Sequence, residues 1–399
     1  MFFGRRVWQS CAIVCTTVSG SRRRKKKKKT PLWLPLAVTL AVLAVISGVV
    51  VYAVGMVGRV EENLRPEEDA PSITEEIQTL EEYKGDVVNI LVCGIDYEEG
   101  RNYSDASSND GMTDMILYCQ FDIKNGALHM LQIPRNSLVA TKNRKVTLSN
   151  GKTYSATNYQ INSVALSNDG NIAALAEVIY DQYKLPIDGF ITIRLEMLTE
   201  LVDLFGGVEI NVPVDVDYAA LGLGDSVIHA GYQTLNGASM EFLLRARKIY
   251  PDGDIGRLNM QRQFYAALFR KLKSIGNIWD VAKLTPAVLN YMETNLSASD
   301  LISFAISMLK IDSSKIMICQ MPVISGPQYN GQSLLYPARQ ADADLLNQYF
   351  RENTGPVDAS QLNLCDNVID LSGYTATDPN IQQMGGLMAA ADDAQKNDN

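Results

Sequence analysis

The chain has 399 residues, 46% of them hydrophobic and 20% charged, which is the composition of a globular protein with a sizeable core and excludes disordered and collagen-like chains. Its two histidines, His129 and His229, are too few for an HExxH metal site or a Cys2His2 finger and make a Ser-His-Asp triad hard to assemble, so catalysis has to run on Asp, Glu, Arg, Lys or hydroxyl groups. The net charge of −9 hides an asymmetry: residues 1–30 carry ten Arg and Lys and no acid, leaving 26 basic against 45 acidic residues beyond Thr30, a balance that argues against a nucleic-acid partner for the folded part.

In chain order, residues 1–30 form a basic terminus, and residues 31–58 contain 28 positions without a charge, more than the roughly 20 needed to cross a bilayer. This predicts one transmembrane helix, with the run RRRKKKKK holding the N-terminus in the cytoplasm and touching anionic lipid, so that everything after Gly58 lies outside. A secretory signal peptide is the rival reading, but its apolar core is usually shorter and Ala53-Val54-Gly55 is a weak cleavage site. Residues 59–86 read as an acidic stalk, with nine acids between Glu61 and Glu82, solvated by its charge.

The folded unit, 87–352, opens with VVNILVCGID, a continuous apolar run ended by Gly and Asp, the form of a strand buried on both faces. Further strands are expected at Met115–Phe121 and Ala127–Ile133, joined at Asn125-Gly126 by a two-residue hairpin and therefore antiparallel. Helical spacing follows at Ile172–Gln182 and Leu195–Leu204, strands at ITIRL and VEINVPV, then helices at Met240–Lys248 and Leu258–Leu272. This alternation predicts an α/β fold, a three-layer sandwich with a mixed central β-sheet. The C-terminal extension, 353–399, is polar and rich in small residues from Ala376 to Asn399, where disorder is expected. Of the cysteines on the outer side, Cys93 and Cys119 fall in strands that could be adjacent, which leaves both a disulfide and two buried thiols open. No CxxC pair has zinc spacing.

Charged residues gather at the ends of these elements. Asp96 closes the first strand, Asp114 opens the second, Arg135 follows the third, LLRAR supplies Arg245 and Arg247, and DIGRLNMQRQ supplies Asp254, Arg257, Gln261 and Arg262. Several guanidiniums at one end of a sheet can hold a pyrophosphate, each planar fork taking two oxygens, and two aspartates there can hold Mg2+. For any one residue alone a surface salt bridge is the competing reading, and spacing does not separate the two. Two arginines two apart would point about 200° apart on a regular helix, so if Arg245 and Arg247 serve one ligand their segment is extended or sits at a helix end.

The ordered series NILVCGID, TDMILYCQFD, LHMLQIPRN, INSVA, LVDLFGGVEINV, G-x-x-x-L-N-G at Gly231–Gly237, RAR, DIGR and GQSLLYP resembles the LytR-CpsA-Psr family. The resemblance implies a single-pass membrane protein of the Gram-positive envelope. It would be a phosphotransferase that moves an anionic glycopolymer (teichoic acid, capsule or similar) from an undecaprenyl-pyrophosphate carrier to peptidoglycan, with Mg2+ at the pyrophosphate. It assigns metal binding to Asp96 and Asp114, and pyrophosphate binding to Arg135, Arg245, Arg247, Arg257 and Gln261. Catalytic roles fall to Arg135, Arg257 and Asp254, the last as candidate general base. It also implies a polyprenyl tunnel between sheet and helices. The chain departs from the family pattern at Met112, Gln160 and Met260, where basic residues are usual, and at Asn136 in place of the Asp of PRD; Arg101 or Arg262 could replace a missing charge. Those departures keep open a non-catalytic polyprenyl-phosphate-binding envelope or regulatory protein. A wall hydrolase or sugar-binding module has less support, because no carboxylate pair is isolated from the arginines and no aromatic platform stands out.

Overall fold

Strands form where apolar runs are continuous. The computed structural model describes residues 87–95, 111–217, 227–246, 249–251, 253–274, 292–296 and 311–397; the basic terminus, the expected span over 31–58 and the stalk lie outside these. No helix among the described residues is long and apolar enough to cross a membrane. VVNILVCGI forms β1 (Val87–Ile95), TDMILYCQFD forms β2 (Thr113–Asp122) and ALHMLQ forms β3 (Ala127–Gln132). After α1 (Ile172–Tyr183) come β4 (Gly189–Arg194), α2 (Leu195–Leu204) and β5 (Val208–Val212). The chain continues through β6 (Gly231–Leu235), α3 (Gly237–Arg245), α4 (Asp254–Ser274), β7 (Met292–Thr294) and β8 (Ile316–Gln320). It ends with α5 (Arg339–Tyr349), β9 (Gln382–Gln383) and α6 (Met384–Asn397).

Seven strands make one sheet in the order β7-β4-β1-β2-β3-β8-β9. β1, β2 and β3 are an antiparallel meander, flanked by the parallel pairs β1/β4 and β3/β8, so the sheet is mixed as expected. Side chains alternate across it. Leu91, Ile116, Tyr118 and Leu131 pack on one face with Leu175 and Ile179 of α1 and Leu346 of α5. Ile90, Leu117, Leu128 and Met130 pack on the other with Ala266 and Phe269 of α4 and Met384 of α6. Each such side chain contributes about 1.5–3 kcal/mol by leaving water, and helices on both faces give three layers. A third cluster joins Val202 of α2, Ile210 of β5, Leu243 of α3 and Phe264 of α4.

Two expectations are corrected, and one left open by the sequence is decided. The β2–β3 connection is antiparallel, but Asp122 pairs with Ala127, so the loop has four residues. Asp122 Oδ1 accepts from Asn125 N at 2.9 Å, and Gly126 takes the left-handed turn at φ +60°. Cys93 and Cys119 are free, buried thiols. Their strands are indeed neighbours, but Cys119 pairs with Ile90, three residues from Cys93, and an odd offset puts the two sulfurs on opposite faces of the sheet. The segment from Ala376 is ordered to Asn397: Thr377 N donates to Val323 O and Gln320 N to Pro379 O, both at 2.8 Å. Composition misleads here because the order comes from tertiary partners, namely the free edge of β8 and the apolar sheet face that receives Met384.

Two helix starts also shift. Asn236 caps α3, its side chain accepting from Ser239 N at 3.0 Å, which starts the helix at Gly237. α4 begins at Asp254, so DIGR belongs to its first turn.

Candidate functional site

The meander brings chain-distant ends to one edge of the sheet. Ile95 at the end of β1 pairs with Thr113 at the start of β2, across a bulge at Gly94. A Cβ on Gly94 would stand 2.9 Å from Met115 Cβ, so the close approach of the two strands needs glycine there. β3 finishes at the same edge, where Ile133 N donates to Ile116 O at 2.9 Å, and this carries Arg135 to Asp114. The N-terminal turns of α4 lie across that edge. Asp254, Arg257 and Gln261, spaced by three and four residues, face it together.

The charges alternate. Asp114 Oδ2 pairs with Arg135 Nη1, and Arg135 Nε lies 3.8 Å from Asp254 Oδ1. Asp254 Oδ1 accepts from Arg257 Nε at 3.0 Å, with Arg257 Nη2 2.9 Å away, while Arg257 Nη1 donates to the Asp114 carbonyl at 3.2 Å. Arg135 and Arg257 are buried, and Asp114 keeps a third of its side chain exposed. Three polar atoms inside the cluster have no hydrogen-bond partner: Arg135 Nε, Arg257 Nη2, whose approach to Asp254 Oδ1 is an ion pair without hydrogen-bond geometry, and Asp254 Oδ2. Buried unpaired groups of this kind are costly.

Beside this cluster a cleft with an interior volume of about 80 Å³ runs between the ends of β1, β2 and β4 and the helices. Ile95, Met115, Ile193, Leu198, Leu244 and Phe264 make its walls, and Asp114, Arg194, Arg245, Arg257 and Gln261 supply the polar groups. α3 ends at Arg245, and Ala246 is already extended at φ −62°, ψ 131°, so Arg245 stands at a helix end. Arg245 is half exposed and bonds Glu241 Oε1 at 3.1 Å.

The structure thus gathers Asp114, Arg135, Arg245, Asp254, Arg257 and Gln261. Asp96, Arg101 and Arg247 lie outside the described residues. Arg262 does not supply a charge at the mouth; it points away from the cleft into a cage of amides. Met112 is buried beside Asn162, and Met260 is buried in the cluster of α2, α3 and α4. Two contributors were missed from sequence. Asn162, whose Nδ2 approaches Asp114 Oδ1 at 3.4 Å, sits in the INSVA block and was quoted only as part of a pattern. Arg194 closes β4, and the rule that strand ends carry function could have found it.

Magnesium takes oxygen ligands and shares them with phosphates. The partly exposed carboxylate of Asp114 is a donor of that class and fits such an ion, although no group of three or more His, Cys, Asp or Glu able to hold a metal occurs among the described residues.

Fold and site together define a mixed-sheet α/β sandwich whose sheet end sets arginines and carboxylates around an apolar cleft, an arrangement for an amphiphile with an anionic head. The chain belongs to the LytR_cpsA_psr family, whose model matches residues 52–350. It is 24% identical over 218 residues to the polyisoprenyl-teichoic acid–peptidoglycan teichoic acid transferase TagU of Bacillus licheniformis, covering 54% of this chain and 62% of the relative. It is 28% identical over 192 residues to the corresponding transferase TagV of Bacillus subtilis, covering 48% and 46%. The chain therefore spans about three fifths of these relatives' length or less. Among solved structures, Streptococcus agalactiae gbs0355 shares the fold at TM-score 0.54 and 20% identity, over 68% of this chain and 89% of that one. B. subtilis TagV does so at TM-score 0.51 and 23% identity, over 66% and 95%.

Proposed function

We propose that this chain is a membrane-anchored phosphotransferase that attaches an anionic glycopolymer, teichoic acid or capsule, from an undecaprenyl-pyrophosphate carrier to peptidoglycan on the outer face of a Gram-positive type membrane. The observation that carries the proposal is the pairing of an apolar cleft with Arg135, Arg257 and Arg245 at one sheet end. A polyprenyl tail suits the walls and a pyrophosphate suits the mouth. Family membership supports the same reading.

In this reading Arg135 and Arg257 turn their guanidiniums from the carboxylates to the phosphates, each charge-assisted contact contributing roughly 1.5–3 kcal/mol. A peptidoglycan hydroxyl oxygen attacks the phosphorus that bears the glycopolymer, and the bond from that phosphorus to the bridging anhydride oxygen breaks. The hydroxyl proton passes to Asp254 Oδ2, and polyprenyl phosphate leaves. Such a transfer depends chiefly on positioning and charge neutralisation, which is why two histidines suffice for the whole chain. Magnesium, held by Asp114 with Asp96, would supply further neutralisation of the pyrophosphate.

One observation favours a second reading. Met112 and Met260 are buried methionines where the family usually has arginines, which fits a protein that binds a polyprenyl phosphate without turning it over. Incubating the detergent-solubilised full chain with undecaprenyl-pyrophosphate-linked glycopolymer and purified peptidoglycan separates the two. Release of undecaprenyl phosphate with polymer bound to the wall supports the transferase. Stoichiometric lipid binding without release establishes the second reading, and absence of lipid binding overturns both.

A further inference from the structure

Arg262 is fully buried, with 0% exposure, just over two turns into α4. Its guanidinium is held by neutral amides from four parts of the chain. Nη1 donates to Gln132 Oε1 at 2.7 Å and Gln320 Oε1 at 3.1 Å, Nε donates to Gln382 Oε1 at 3.1 Å, and Nη2 bonds Asn259 Oδ1. Among the described residues no carboxylate pairs with it. A buried guanidinium without a counterion is costly, and burial accordingly lowers its pKa to about 10. An apolar residue would fill a purely structural position with less penalty.

Its contacts lead to the cleft. The Gln132 amide whose oxygen accepts from Arg262 donates through Nε2 to Leu258 O at 3.2 Å and reaches Gln261 Oε1 at 3.5 Å, and Gln261 lines the cleft beside Arg257. Arg262 therefore fixes which end of the Gln132 amide faces the site and so where Gln261 presents its own amide. It also leaves one positive charge unneutralised behind a cluster in which Arg135 and Arg257 are both engaged by carboxylates. On the far side the cage depends on Gln382 in β9, a residue beyond the 52–350 match.

We infer that Arg262 is a positioning residue for the anionic head of the substrate, orienting Gln261 through Gln132 and contributing an uncompensated charge behind the cleft, and that the C-terminal extension is part of the site because Gln382 holds Arg262 in place. This rests on the proposed pyrophosphate-binding reading and deepens it. A charge acting through the low-dielectric interior should favour ligands in proportion to their own charge, whereas a structural prop should affect all ligands alike.

The test measures binding of farnesyl pyrophosphate, farnesyl monophosphate and farnesol to the full chain in detergent, for the parent protein and for Arg262→Lys, Arg262→Met and Gln382→Ala. Arg262→Met should weaken the pyrophosphate on the order of tenfold, the monophosphate less and farnesol not at all. Arg262→Lys should recover most of the charge-dependent part, and Gln382→Ala should lose several-fold on the pyrophosphate alone. If Arg262→Met does not fold, the Lys and Ala variants carry the same comparison. Equal affinities for the pyrophosphate across the folded variants, or equal losses for all three ligands, overturn the inference and leave the proposed function standing. A parent protein that binds farnesol as well as farnesyl pyrophosphate overturns both.

Discussion

Replacing Asp342 with Asn should flatten the pH dependence of stability. Asp342 lies in the first turn of α5 with 0% exposure, and neither carboxylate oxygen has a hydrogen-bond partner. The cation on its own helix, Arg339, is committed elsewhere: Nε and Nη2 hold both oxygens of Asp366 at 2.7 and 2.8 Å, and Nη1 bonds the carbonyl of Ala359. Burial therefore pushes the Asp342 carboxyl from 3.8 to about 8, and the negative charge of Asp366 adds to the rise. The folded chain holds one proton more than the unfolded chain across that window, so this stabilisation is complete below the unfolded value and is lost as pH rises through about 8. At about 1.4 kcal/mol per pH unit, the loss between pH 5 and pH 8 is about 4 kcal/mol, a large part of the 5–15 kcal/mol typical of a domain. Urea unfolding of the full chain in detergent at pH 5, 6, 7 and 8 measures it. The Asn variant should show a slope shallower by about one proton, whatever its stability at any single pH. Parallel profiles for parent and variant would refute the account of a buried, uncompensated carboxyl.

Arg245→Ala and Arg247→Ala should each weaken binding of a pyrophosphate lipid by about ten- to a hundredfold, with Lys restoring only part because the planar fork is lost; calorimetry with farnesyl pyrophosphate reads both. Asp96→Ala and Asp114→Ala should each abolish magnesium-dependent release of undecaprenyl phosphate with the circular dichroism spectrum unchanged, and chelation by EDTA should do the same to the parent; wild-type turnover in a double variant refutes the metal assignment. Gly237→Ala should lower stability by about 1–3 kcal/mol, because its Cβ would collide with the backbone oxygen of Thr199, where α3 starts against α2; a melting temperature equal to the parent's contradicts that packing.

What sequence revealed of this molecule was what is encoded locally. VVNILV and MILY are apolar on both faces, which marks buried strands, and DIGRLNMQ sets Asp254, Arg257 and Gln261 at helical spacing, which marks one face. Arg135 was legible because IPRN follows a strand directly. The relations across the sheet were not legible. Whether Cys93 and Cys119 pair was open from the sequence, and only the register, with its odd offset between them, decides it. The two-residue reading of Asn125-Gly126 failed because Asp122 accepts from Asn125 N and draws two more residues into the turn. Gln382 and Gln383 have little strand propensity, and they pair only because β8 offers an edge. Arg262 could not be placed from its neighbours in sequence, since three of its four amide partners lie 58 to 130 residues away.

The sheet margins have a consequence for behaviour at high concentration. Among the described residues, the outermost strands of the seven-stranded sheet, Met292–Thr294 and Gln382–Gln383, have three and two residues, and the outer one on the β8 side leads directly into a helix. An unpaired strand is a template on which another chain can lay its own backbone, and the template works only when it is long and flat. These margins offer almost no such row of donors and acceptors. The margins described for the seven-stranded sheet are therefore poor templates for a strand from another copy.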